Sequence, residues 1–177
     1  MADNQKRIAA ELERIAERVL KLSEADQTEV DISAGSDALT RFANNAIHQN
    51  VAEHTIAISV RAVLDGRTAR ASTNKSDEES LRRVVDSAVS LARNEPENPD
   101  LLPLPKKQKY EKVSRFFSAT AETTPQDRAR AVARVCKMAE KNKQTTAGIY
   151  VSGASQSLLA NSRGLVARYQ QTRSEFS

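Results

Sequence analysis

The residues of this chain that could do chemistry are few: two histidines, one cysteine, and some serines and carboxylates in motif-like settings. His48 and His54 would share one strand face if no bulge lay between them. A zinc site needs three or four ligands, and neither Cys136 nor any carboxylate is spaced as a third donor, so the pair reads as solvated strand histidines. Neither is followed by Glu, and His-Glu-x-x-His does not occur. Gly153-Ala-Ser155-Gln-Ser157 approaches the Gly-x-Ser-x-Gly elbow but lacks its second glycine. It also lies between two strand patterns, where the elbow requires strand then helix, and no His or acid is placed to activate Ser155. Cys136 falls on the apolar stripe of a helix and reads as core. Glu78 and Glu79 occupy a first helical turn, where carboxylates favour the helix dipole. The five glycines, at 35, 66, 148, 153 and 164, form neither a P-loop nor a dinucleotide fingerprint.

What remains is a polar set within Leu39–Asn50: Arg41, Asn44, Asn45 and Gln49. Two half-apolar runs meet at Asn44-Asn45, and Asn tolerates the positive φ of a tight reversal better than other residues with a side chain. The backbone demands of a hairpin alone can account for the two asparagines; the other reading makes these four residues substrate-binding. A related stretch returns as Ser157-Leu-Leu-Ala-Asn-Ser-Arg-Gly-Leu-Val166. Each copy follows an amphipathic helix and a strand, so the sequence predicts a repeated helix-strand-hairpin unit.

The elements that must position these residues are legible from periodicity. Ile8, Leu12, Ile15, Ala16, Val19 and Leu20 recur at helical steps, giving a helix over about 4–23. Val30, Ile32 and Ala34 then alternate with polar residues as a strand, and Gly35-Ser36-Asp37 is expected to turn the chain into Ala38–Ala43. The return runs through Ile47–Val51, with a bend expected over Asn50–Glu53. Thr55–Leu64 alternates cleanly into Asp65-Gly66, the dipeptide suited to a type I′ hairpin, so Arg67–Thr73 should run back antiparallel. Ser76 and Glu79 spell a capping box for a helix over 77–94. Four of the five prolines lie in Glu95–Pro105 and Lys106, Lys107 and Lys109 follow, which predicts a linker. Lys112–Ala121 is expected to be extended. Thr124-Pro125 starts a further helix with Ala129, Val132, Cys136 and Ala139 as its apolar stripe. The second hairpin turns at Asn161-Ser162-Arg163-Gly164.

The fold class is therefore α+β, with antiparallel sheets, amphipathic helices and two related helix-strand-hairpin units. The expected division is an N-terminal domain over 1–95, a linker over 96–111 and the start of a further domain over 112–177. Because Ser-Glu-Phe-Ser177 lies inside a strand pattern, the polypeptide is expected to continue.

The 177 residues are 39% hydrophobic and 28% charged, which suits a packed domain, and no apolar run approaches the roughly 20 residues that cross a bilayer. Met-Ala-Asp-Asn-Gln-Lys-Arg7 leads into a charged helix and not an apolar signal core, and Cys136 has no disulfide partner, so a cytoplasmic protein is expected. The 27 basic against 23 acidic residues are spread along the chain and only 4% are aromatic, which disfavours nucleic-acid binding.

Ala38-Leu-Thr-Arg-Phe-Ala-Asn-Asn-Ala-Ile-His-Gln49, Ser59-Val-Arg61 and Asp65-Gly-Arg-Thr-Ala-Arg-Ala-Ser-Thr-Asn74 together resemble the N-terminal part of TldD/PmbA proteins, the modulator-of-gyrase metallopeptidases. Leu159-Ala-Asn-Ser-Arg-Gly-Leu165 and Thr172-Arg-Ser-Glu-Phe-Ser177 look like the start of that family's central region. The resemblance implies a subunit of a bacterial or archaeal zinc metallopeptidase, acting on unstructured peptides within a homodimer or a heterodimer of paralogues. Active members carry His-Glu-x-x-x-His in their C-terminal part, and metal-free paralogues serve as partners. None of those ligands maps here, so the expectation is no catalytic or metal residue and no cofactor in this stretch, with zinc beyond Ser177 in the active type. The competing class is a metal-free, non-catalytic partner subunit or interaction module.

Overall fold

The computed structural model of the protein describes residues 2–111 and 113–177. Helix α1 spans Ala2–Leu22, and β1 (Gln27–Ala43) and β2 (Ala46–Leu64) follow, then β3 (Arg67–Thr73) and α2 (Glu78–Asn94). The second half comprises the one-turn α3 (Ser118–Ala121), α4 (Pro125–Lys141), β4 (Gly148–Asn161) and β5 (Val166–Phe176). The five strands make a single sheet in the order β3-β2-β1-β4-β5. Hairpins join β1 to β2, β2 to β3 and β4 to β5. The β1–β4 pair is antiparallel too, since the Ser162 amide bonds the Thr28 carbonyl while Gly35 lies against Ala154 and Ser155. The order helix, strand, hairpin occurs twice, as α1-β1-β2 and α4-β4-β5.

The chain divides into two units, and β1, β2, β4 and β5 each contribute to both. The first comprises Met1–Ala34, Thr55–Val113 and Gln156–Tyr169. Its core is the meeting of Leu12, Ile15 and Val19 of α1, Leu81, Val85 and Ala88 of α2, and Val30, Ile32, Ile58 and Val60 of the sheet. Each of these Leu, Ile and Val side chains contributes about 1.5–3 kcal/mol by leaving water, so truncating the fully buried Ile58 to Ala would cost about 2–5 kcal/mol. Within the Pro-rich stretch Leu104 is buried; its amide donates to Gln27 Oε1 at 2.8 Å, and Asn161 Nδ2 donates to the Pro105 carbonyl at 2.9 Å. The second unit comprises Gly35–His54, Ser114–Ser155 and Gln170–Ser177. Phe42, Val132 and Cys136 form its small core, with Tyr150 packed against it. Phe176 closes over Phe42 and Tyr150 at ring distances of 5.8 and 5.5 Å.

Four local expectations give way. Gly35-Ser36-Asp37 makes no turn, because β1 runs unbroken through it. The glycines serve close strand approach instead: a Cβ at Gly153 would collide with the Asp37 carboxylate, and one at Gly35 would sit 3.2 Å from the Ala154 carbonyl. The bend expected over Asn50–Glu53 is likewise absent, since β2 continues from Ala46 to Leu64. Helix α2 is capped one residue later than Ser76, by Asp77, whose carboxylate accepts from the Ser80 amide at 2.9 Å. An ionised acceptor makes the stronger cap bond. Of the segment expected to be extended, Lys112 lies outside the described residues and Ser118–Ala121 is helical.

Candidate functional site

Strand β2 is far longer than the strand that covers it. Its register with β3 pairs Ile58 with Thr73 and ends at Leu64 with Arg67. Ahead of Ile58, β2 has β1 on one side, and among the described residues no segment bonds its other side. In the second unit this leaves Ala46–His54 as an open edge, exposed at every position except the half-buried Val51. Nine residues of strand extend roughly 30 Å, with every second amide and carbonyl directed at the free side.

Which residues face outward follows from the two turns. Asn44 and Asn45 have φ of 50° and 60°, and Asp65 and Gly66 have 49° and 69°, so both are type I′ turns closing on a hydrogen-bonded pair. The backbone of Ala46 therefore points at β1 and that of Leu64 at β3. Strict alternation would direct two even-numbered residues to the same side, so β2 carries one extra residue, a bulge. It falls before Asn50: the turn pairs Ala43 with Ala46 and would set Thr40 opposite Gln49, yet Asn50 Oδ1 accepts from Thr40 Oγ1 at 3.2 Å, so Asn50 already stands on the face of Thr40. From there on, the amides of Ala52 and His54 face the open edge, while those of Val51 and Glu53 face β1.

The hairpin tip is held from within its own unit. Asn45 Oδ1 accepts the Thr146 amide at 2.8 Å and Asn45 Nδ2 donates to the Gln144 carbonyl at 2.9 Å. The Asn45 amide bonds the Thr146 carbonyl at 3.3 Å. Asn45, singled out above as a substrate-binding candidate, thus has its side chain committed to the loop after α4. Arg41, Asn44 and Gln49 are exposed around the same hairpin. His48 and His54 are exposed on the edge itself.

Under the hairpin lies Arg128, which sequence reasoning missed. It is 1% exposed, and its guanidinium meets only neutral acceptors. Nε donates to Thr40 Oγ1 at 3.3 Å, Nη1 to the Thr123 carbonyl and Ser152 Oγ at 3.2 Å each, and Nη2 to Asn50 Oδ1 at 3.1 Å. Burial holds its pKa below the ordinary guanidinium value, opposed by the nearby charges of Tyr150, once ionised, and Asp127. One planar fork thereby ties β1, β2 and β4 to the start of α4. The signal was available: Arg128 precedes Val132, Cys136 and Ala139 at helical steps, and the apolar neighbour Ala129 was placed on that stripe in its stead. Thr124 and Asp127 form a reciprocal capping box beside it. The Asp127 carboxyl is held below the usual carboxylate range, first by the Thr124 hydroxyl, then by the Thr124 amide.

The donors do not suit the zinc that the resemblance implies. Among the described residues no group of three His, Cys, Asp or Glu could hold a metal, and Cys136 is buried in the helix–sheet core. What the arrangement offers is backbone: a rigidly held, solvent-facing strand edge flanked by Arg41, Asn44 and Gln49.

Comparison with known proteins accords with this architecture. Residues 28–92 match a family model described as PmbA/TldA metallopeptidase domain 1. No curated protein matches the chain. Among solved structures, TldE from Thermococcus kodakarensis superposes with a TM-score of 0.81 at 18% identity, covering 93% of this chain and 37% of that one. A candidate modulator of a DNA gyrase from Thermotoga maritima gives 0.77 at 12% identity, covering 92% and 38%. A second such protein, from Bacteroides thetaiotaomicron, gives 0.71 at 16% identity, covering 97% and 39%. The fold is thus the one shared by these TldE and gyrase-modulator proteins. The TldD/PmbA resemblance is matched over residues 28–92, the stretch that fits the model of that family's first domain. It spans less than two-fifths of each of those three structures.

Proposed function

We propose that this chain is the N-terminal portion of a TldD/PmbA-type zinc metallopeptidase of the cytoplasm, and that it receives unstructured peptides and helps assemble a homodimer or a heterodimer with a paralogue. The observation that carries the reading is the open edge Ala46–His54, lying within the stretch that matches the family's first domain. An extended peptide adds to such an edge through main-chain hydrogen bonds, which are blind to side chains and so suit substrates with no common sequence. Arg41, Asn44 and Gln49 flank the edge and would contact the incoming chain, with Asn45 fixing the hairpin. Zinc-dependent hydrolysis belongs, in this reading, to residues outside these 177. No helix among the described residues is long and apolar enough to cross a membrane, which is compatible with the compartment proposed.

The test is binding without cleavage. A fluorescein-labelled unstructured peptide should raise its anisotropy with the purified chain and be recovered intact, with no stoichiometric zinc in the protein. Hydrolysis abolished by mutating one of the chain's own side chains would refute the assignment. A polypeptide that continues past Ser177 through a full homologous region without His-Glu-x-x-x-His would make it the metal-free partner subunit.

A further inference from the structure

Helix α4 bears a second feature that the edge does not explain. Arg130, Arg134 and Lys137 line one groove with Asp127, Ala131 and the half-buried Tyr150. Arg130 pairs with Asp127, whereas among the described residues Arg134 and Lys137 have no carboxylate partner. Three cations against one acid leave the groove with a net charge of +2. At 1.5 Å per residue, Arg130, Arg134 and Lys137 stand at about 0, 6 and 10.5 Å along the helix. Side chains on one face of an extended peptide recur about every 6.6 Å, and the step of about 4.5 Å between Arg134 and Lys137, the two cations without a carboxylate partner, is widened to that spacing by the reach of their long flexible side chains.

We propose that this groove binds an extended acidic peptide segment, carboxylates at alternate residues meeting the Arg134 and Lys137 side of the groove, while the aromatic face of Tyr150 covers the intervening apolar stem. The proposal rests on the reading that the chain receives unstructured peptides, and it narrows their class to those with acidic-x-acidic stretches. A nucleic-acid strand fits less well. Its phosphates, one on every nucleotide, would meet Asp127 at the N-terminal end of the groove, where a peptide can place an uncharged residue.

The test is fluorescence anisotropy on the 177-residue chain with a labelled alternating Glu-Ser octapeptide, its Gln-Ser counterpart and a single-stranded oligonucleotide. The acidic peptide should bind more tightly than the neutral one. Combining Arg134→Glu and Lys137→Glu should weaken the acidic peptide about tenfold or more while leaving the neutral one unchanged. Arg93→Glu, an exposed reversal in the last turn of α2, should change neither. Both reversed side chains are exposed, and a matching thermal melt establishes folding; Arg134→Gln with Lys137→Gln serves if the reversal does not fold. Equal binding of both peptides, insensitive to the reversal, would overturn the acidic preference and leave peptide reception standing. Binding of neither would overturn both, and preference for the oligonucleotide would overturn the assignment of the ligand.

Discussion

A proline placed along Ala46–His54 separates two kinds of backbone position that no side-chain substitution distinguishes. The alternation derived above directs the amides of Ala52 and His54 to the open edge and those of Val51 and Glu53 to β1. Val51→Pro or Glu53→Pro removes a ladder donor and leaves a β1 carbonyl unpaired. The bond is worth about 0.5–1.5 kcal/mol net and an unsatisfied buried partner about 1–3 kcal/mol, so each should cost roughly 2–4 kcal/mol. Ala52→Pro or His54→Pro removes no internal bond and only fixes φ, so each should cost about 1 kcal/mol or less. For a chain of this size roughly 2–4 °C of melting temperature corresponds to each kcal/mol, a separation that thermal melts resolve. Binding should invert the order. Ala52→Pro and His54→Pro keep the fold but delete an outward donor, weakening a labelled unstructured peptide by about two- to tenfold per lost bond. If all four variants melt alike, or if the outward pair binds peptide as well as the parent chain, edge addition is refuted.

Three further outcomes follow from the packing around the hairpin. Arg128→Ala should destabilise by about 3–5 kcal/mol in urea unfolding, through a cavity and the loss of four charge-assisted bonds; Arg128→Met, which fills the space without burying charge, should cost only about 1–3 kcal/mol. Asn45→Gly keeps the positive φ and loses two side-chain bonds, about 1–3 kcal/mol, and Asn45→Ala should add about 1–2 kcal/mol of left-handed strain, both read from denaturant midpoints. Because the folded pKa of Asp127 lies below its unfolded value, its capping contribution is intact above about pH 4 and is lost as pH falls through the folded value. Amide exchange at the start of α4 should therefore accelerate in acid, and Asp127→Asn should abolish that dependence.

Much of this protein was determined by local chemistry. Asn44-Asn45 and Asp65-Gly66 form the reversals they spell, because positive φ is a property of those residues and needs no tertiary support. Thr124-Pro125 starts α4 for the same reason: the capping box and the fixed proline φ act within one turn. The apolar periods of α1 and α2 named the core of the first unit, since burial follows the 3.6-residue repeat. The family resemblance, read from the hairpin residues, also carried through. Local rules failed where a contact partner is distant in sequence. Gly35 looked like a turn because glycine permits one, yet its small size is used against Ala154 and Ser155. Arg128 carries no local sign of its burial, because arginine usually faces solvent. Only the convergence of Thr40, Asn50 and Ser152 on one guanidinium makes its burial tolerable. The open edge itself was a matter of lengths, a 19-residue β2 against a 7-residue β3, and which half stays uncovered is fixed by the pairing register and not by either strand's composition.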